Sequence, residues 1–330
     1  MRMPTKRILA ALGALSLVAA ACGGGASDYP SEDFTWVVPY SEGGGFDTYS
    51  RGFADAMAAS QLPEGINIGV QNITPIAEGL SGVFASDSQY TLAILPMPAA
   101  AAQEIQFGDV ANWVTDEFTV LGSIEENAYV VYVAADGPYQ TYQDLMAGTD
   151  MKALTVEKGS SSGLATAVTI NALGLDAEIT FGAEGSQEVA TALVRGDIDF
   201  IVYGTSDVLG FIDSGDLKAI LFLGIEDQRP AGFDWLADVP NLADAGFPDA
   251  AGSVTEMRLI VAPPGLPADV VTYLENAVEA TLNSPELAAW SEEAGRPLVP
   301  RNAASARNAM ANQINTMRDL VPELVEKGQL

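Results

Sequence analysis

Short β-branched and aromatic runs in this chain repeatedly give way to a glycine- or serine-bearing loop and then to helical periodicity, which narrows the fold more than any other feature. Residues 34–40 (FTWVVPY) read as a buried strand stopped at Pro39, 41–46 (SEGGGF) as a glycine loop, and 47–62 as a helix with Tyr49, Phe53, Ala54 and Met57 on one face. Residues 153–156 form the next such strand, followed by 158–163 (KGSSSG) and a helix over 164–173 that stops at Gly174. Residues 179–181 lead through Gly185-Ser186 into a helix over 187–194, and 198–203 open onto Gly204-Thr205-Ser206-Asp207. Further strands are expected at 66–70, 90–95, 118–124, 128–134, 217–224 and 257–262, and further helices at 142–147, 268–282 and 303–324. Short strand–loop–helix connections predict parallel, doubly wound sheets, which bind ligands outside the carboxyl ends of their strands.

The 330 residues suit two lobes of roughly 100–150 residues each. With 15 basic against 44 acidic residues the net charge is −29, and the basic residues are not clustered, so nucleic acid is excluded as a partner. Such a charge repels anions at long range, so any anion site has to be built locally from backbone N–H groups and helix N-termini. The chain has no histidine and one cysteine, which excludes histidine-based triads and zinc sites and any intrachain disulfide. No catalytic constellation, metal site or cofactor is expected.

The N-terminus reads as an address. Arg2, Lys6 and Arg7 precede a 14-residue apolar run over 8–21, too short to span a bilayer, and Cys22 follows directly. Val18-Ala19-Ala20-Ala21-Cys22 resembles a bacterial lipobox, with Ala19 where leucine is usual. Residues 1–22 are therefore expected to be a lipoprotein signal peptide and 23–32 a flexible tether. Lipidated Cys22 would hold the exported protein on the outer face of the cell membrane, or in the periplasm.

Several motifs recur in a fixed order. Val37-Val38-Pro39-Tyr40 leads to Gly43-Gly44-Gly45 and Asp47, then come Val70-Gln71-Asn72, Tyr90-Thr91-Leu92 and Phe118-Thr119-Val120. Gly159-Ser160 with Leu164, Gly185-Ser186, Asp238-Val239-Pro240-Asn241-Leu242, Asp244-Ala245-Gly246-Phe247 and Val261-Ala262-Pro263 follow. Their order, over residues 33–325, resembles the substrate-binding proteins of tripartite tricarboxylate transporters, the Bug family. Departures from the family's pattern are Glu42 for proline, Phe46 for threonine, Gly163 for histidine and Ala183-Glu184 for tyrosine-lysine.

The resemblance implies two doubly wound α/β lobes with a ligand cleft between them, a flytrap like a type II periplasmic binding protein. Lobe 1 would comprise 33–126 and 257–330, lobe 2 127–256, with crossings near Asn127 and Glu256. One ligand carboxylate would meet Tyr40, Ser41, Gly44, Gly45 and Asp47, and the other end Gly159, Ser160 and Ser161. Gly185, Ser186, Tyr203 and Asp207 would line the remaining wall. Lys158, the basic residue of its loop, is read as an anion contact, and Arg258 as a structural or surface residue. Alternatives stay open: Asp47 as a helix cap, residues 160–162 as caps only, and Tyr203 as core.

The function implied is a monomeric receptor that passes a small organic carboxylate to one large and one small integral membrane subunit. A sensor for a membrane kinase and, less well supported, a hydrolase using Ser160 with Lys158 are the alternatives. Glu42, Asp47, Glu184 and Asp207 crowd the expected cleft, so a mono- or dicarboxylate is expected ahead of a tricarboxylate. An amino group on the ligand is an option that Asp47 could accept.

Overall fold

The computed structural model describes residues 29–225, 229–230 and 233–330; the leader, Cys22 and most of the tether lie outside the described residues. The chain begins β1 (Phe34–Val38), α1 (Gly45–Ser60), β2 (Ile68–Asn72), α2 (Ile76–Phe84), β3 (Thr91–Met97) and α3 (Ala99–Phe107). β1 lies between β2 and β3, parallel to both, with Trp36 opposite Val70 on one side and Leu92 on the other. Tyr49, Phe53 and Met57 of α1 are completely buried against this sheet. Burial of each such side chain contributes roughly 1.5–3 kcal/mol.

β4 (Thr119–Ala134) is one strand of 16 residues where two had been expected. The polar stretch Glu125-Glu126-Asn127 reads as a break between two apolar runs. It stays in the strand because its buried groups find partners there, Glu125 on Arg258 and Asn127 on Thr205. The second half of the chain follows as α4 (Tyr142–Ala147), β5 (Met151–Thr155), α5 (Ser161–Leu173), β6 (Ala177–Phe181), α6 (Ser186–Arg195), β7 (Ile201–Gly204), α7 (Leu209–Asp213) and β8 (Leu217–Phe222). It ends with β9 (Thr255–Ala262), α8 (Ala268–Leu282), α9 (Pro285–Ala294), β10 (Arg301–Asn302) and α10 (Ala303–Glu326).

The fold is two-lobed α/β, and β4 is common to both sheets. Its first half lies in the order β2-β1-β3-β9-β4-β10. Its second half pairs with β7 and β8, and a bridge from Ala153 to Phe200 brings the parallel pair β5–β6 alongside β7. The sheets are mixed rather than wholly parallel. β9 runs antiparallel to both β3 and β4, and β4 runs antiparallel to β7 and β8. The first sheet thus contains two reversed strands, β9 and the two-residue β10, and in the second β4 is reversed against its neighbours, as happens when two strands cross side by side between lobes. Asn127 of β4 lies opposite Glu256 of β9 at that crossing. Helix α10 packs on α3 and on α5, so its buried face (Met310, Ile314, Met317, Val321, Leu324) joins one continuous apolar core.

Candidate functional site between the lobes

Three helices begin at one cavity. α1 starts at Gly45 with Gly44 as its N-cap, and α6 starts at Ser186 with Gly185 as its N-cap; neither glycine offers a side chain to the first-turn N–H groups. α5 starts at Ser161, earlier than its apolar periodicity suggests, because Ser160 caps it by accepting a hydrogen bond from the Gly163 N–H (3.1 Å). The free first-turn N–H groups of a helix carry partial positive charge and form an anion-binding end. Here such ends come from both lobes and border the same space, a cavity of about 210 Å³.

Tyr40, Ser41, Gly44, Gly45, Ser161, Gly185, Ser186, Tyr203 and Asp207, all singled out from the sequence, line this cavity. Phe46, Val156, Ser162 and Gln187 complete its walls, Glu256 lies at its floor, and exposed Glu42, Glu184 and Glu188 stand at its rim. Phe46 stacks on Tyr40 at 4.7 Å and carries the Arg258 guanidinium 4.6 Å from its ring centre. Burial raises the Tyr40 and Tyr203 pKa values, so both hydroxyls keep their protons and can donate. The Ser161 and Tyr203 hydroxyls are buried and complete no hydrogen bond of good geometry.

The other four expected contacts are absent from the cavity lining. Asp47 turns back into its own loop: it accepts from Gly43 N–H (2.9 Å), Arg51 Nε (3.0 and 3.1 Å) and Asn72 Nδ2 (3.0 Å). Burial opposes its charge, but these donors and the Arg51 charge outweigh burial and lower its pKa. It braces the glycine loop, and its oxygens are not left for a ligand amine. Lys158 is exposed, with its ammonium 5.6 Å over the Phe181 ring, and takes no part in the cavity wall. Gly159 turns the chain at φ +73°, where an added Cβ would sit 2.9 Å from Gln103 Cγ of α3. Ser160 is spent as the α5 cap.

Beneath the floor lies a charge cluster that the motifs do not announce. Arg258 is fully buried and sandwiched between the Phe46 and Tyr49 rings, at 4.6 and 4.8 Å. Its Nη1 pairs with Glu125, and its Nη2 lies 2.7 Å from Asp207 and 2.9 Å from Glu256. Three carboxylates therefore share one guanidinium. Burial pushes Asp207 up to about 6, against the pull of Arg296 and the Gly204 N–H. Burial and the Asp207 charge raise Glu256 as well, opposed by a hydrogen bond from Tyr129. Burial lowers Arg258 to about 10, which leaves it cationic at neutral pH. One sequence clue did exist: charged residues set inside otherwise apolar strands, Glu125 in β4 and Arg258 in β9.

The chain matches the family model for the tripartite tricarboxylate transporter family receptor over residues 82–325. It belongs to that family. A relative from Agrobacterium vitis, a UPF0065 protein of the TAR-I ttuE-ttuC' intergenic region, is 25% identical over 264 residues, covering 78% of this chain and 73% of its own. The structure of MatC from Rhodopseudomonas palustris with bound malate superimposes with a TM-score of 0.76 at 21% identity, over 89% of this chain and 100% of MatC. A second R. palustris protein, solved with adipate, gives 0.75 at 18% identity over 91% of this chain and 98% of its own. These likenesses establish the fold, and the family is one of solute-binding receptors rather than an enzyme class. In this tricarboxylate-transporter-family receptor, the Arg229 side chain has a structural place. Arg229 donates to the carbonyls of Leu236 (2.6 Å) and Val239 (2.7 Å), lies 5.0 Å over Phe222, and docks the 236–241 segment beside β8.

Proposed function

We propose that this receptor closes its two lobes on a small mono- or dicarboxylate and delivers it to one large and one small integral membrane subunit. The observation that carries the reading is the convergence of three helix N-termini, from both lobes, on one cavity. Each such end stabilises a carboxylate by roughly 0.3–1 kcal/mol when exposed and up to about 2 when partly buried. Two opposed ends suit a dicarboxylate, the ligand type carried by both R. palustris structures. A volume of 210 Å³ equals about seven water molecules, which favours small ligands. A tricarboxylate would have to bring its third charge to an acidic floor or rim. Tyr40, Ser41, Gly44, Gly45, Ser161, Gly185, Ser186 and Tyr203 are the proposed contacts. The proposed lobes are 33–126 with 257–330, and 127–256, hinged where Asn127 faces Glu256.

A thermal-shift screen over mono-, di- and tricarboxylates tests the reading. A ligand at 100 times its Kd adds about 2.7 kcal/mol, a Tm rise of roughly 4 °C for a protein of this size. The largest rise should come from a dicarboxylate or a monocarboxylate. A largest rise with citrate would sink the ligand assignment, and no response to any carboxylate would sink the receptor reading.

We also propose lipid anchoring at Cys22. Cys22→Ala should move the protein from the membrane fraction to the soluble exported fraction; an unchanged distribution would refute the anchor.

A further inference from the structure

We infer that the cavity floor is an ammonium subsite, so that the captured carboxylate also carries a protonated amine; this rests on the carboxylate reading above. Asp207 and Glu256 are 6% and 3% exposed and line the cavity. With Glu125 they make three carboxylates around the single guanidinium of Arg258. Arg296, the other cation near Asp207, is engaged with the Ser206 carbonyl and the Tyr49 ring. Glu125 is well satisfied, accepting from Tyr49 and Ser206 hydroxyls as well as from Arg258.

Glu256 is not. Its Oε1 accepts one long hydrogen bond from Tyr129 (3.4 Å), and its Oε2, though 2.9 Å from Arg258 Nη2, accepts none. That oxygen and Asp207 Oδ2 converge over Gly204, where an added Cβ would lie 2.8 and 3.1 Å from them. Ser161 and Tyr203, whose buried hydroxyls sit among other hydroxyls without a hydrogen bond of good geometry, line the same cavity. A buried acceptor left dry is costly, and three carboxylates around one guanidinium must either carry excess negative charge or take up protons. An ammonium group brings three donors and one positive charge, which answers both deficits. A methylene in its place answers neither. Among the described residues no lysine or arginine lines the cavity itself, Arg258 lying beneath its floor, and Glu42, Glu184 and Glu188 at the rim favour a cation further. The Asp47 carboxylate, the acceptor suggested by the sequence, is already occupied, so the ammonium belongs with Glu256 and Asp207.

Calorimetry on matched pairs tests this: succinate against aspartate, glutarate against glutamate, and a diamine without carboxylates. The amino member of a pair should bind at least about tenfold more tightly. Glu256→Gln, which leaves Arg258 paired with two carboxylates, should cost the amino member of each pair at least about tenfold more affinity than its des-amino partner, so that most of the preference is lost; Asp207→Asn serves if that variant does not fold. Equal or tighter binding of the des-amino members by the wild-type protein would overturn the subsite and leave the carboxylate reading standing. A diamine that binds while every carboxylate fails would support the subsite and overturn the carboxylate reading.

Discussion

Gly45→Ala is expected to weaken ligand binding by tenfold to a hundredfold and to leave the protein more open in solution. A Cβ at this position would lie 1.9 Å from Asp207 Oδ1 and 2.6 Å from Arg258 Nη2. Those two atoms are buried and paired with each other at 2.7 Å. Asp207 follows β7 of one sheet, and Gly45 opens α1 beside the other, so the methyl group would wedge the lobes apart or break the ion pair. Forcing one extra carbon into such a site costs about 1–3 kcal/mol, which is the origin of the expected factor. Gly44→Ala is the control: its Cβ would meet nothing nearer than Ser41 O at 3.8 Å, in a backbone conformation open to any residue. It should have a much smaller effect. Calorimetry and small-angle scattering on both variants check this, and wild-type affinity in Gly45→Ala would contradict it.

Arg258→Met should be the most destabilising single substitution in the site. It leaves Glu125, Asp207 and Glu256 buried without their shared cation, a loss of about 3–5 kcal/mol. For a chain of this size that lowers Tm by roughly 4–8 °C. The loss should depend on pH. A carboxyl whose folded pKa lies above its unfolded value holds its proton more tightly when folded. It therefore supports folding in acid, and that support is lost as pH rises through the folded value. In the intact protein Asp207, at about 6, and Glu256, also raised, behave in this way, and loss of the Arg258 cation, 2.7 and 2.9 Å from them, should raise them further. The Tm gap between variant and wild type should accordingly narrow from about pH 8 to about pH 5. A gap that is constant, or that widens in acid, would contradict the placement of these charges.

The alternation of strands and helices was readable because both the spacing of apolar residues and the glycine loops are local. The three helix starts at the cavity were legible to within three residues: expected at 47, 164 and 187, they lie at 45, 161 and 186, each beside a glycine or serine. Local reading failed where a residue's partner lies far along the chain. Glu125 meets Arg258 across 133 positions, so the polar interruption at 125–127 passed for a strand break and β4 was divided. It also failed for direction. Lys158 sits in the right loop, but its side chain turns outward onto Phe181. Asp47 is in the right loop too, yet its nearest donors, Gly43 and Arg51, lie within four residues and claim it first. The rim acids Glu42 and Glu184 were visible as departures from the family pattern. The floor acid Glu256 became visible only when β9 was laid beside β4.

The central claim, that a carboxylate is held between the lobes by helix N-termini rather than by basic side chains, is tested most directly by a crystal structure of the complex with the best ligand from the thermal screen. The expected result is one carboxylate within hydrogen-bond distance of the backbone N–H groups at 44–46. The far end of the ligand should lie at those of 161–162 or 186–187. A ligand bound outside this cavity, or one whose carboxylate is held by Lys158 or another lysine or arginine, would contradict the claim.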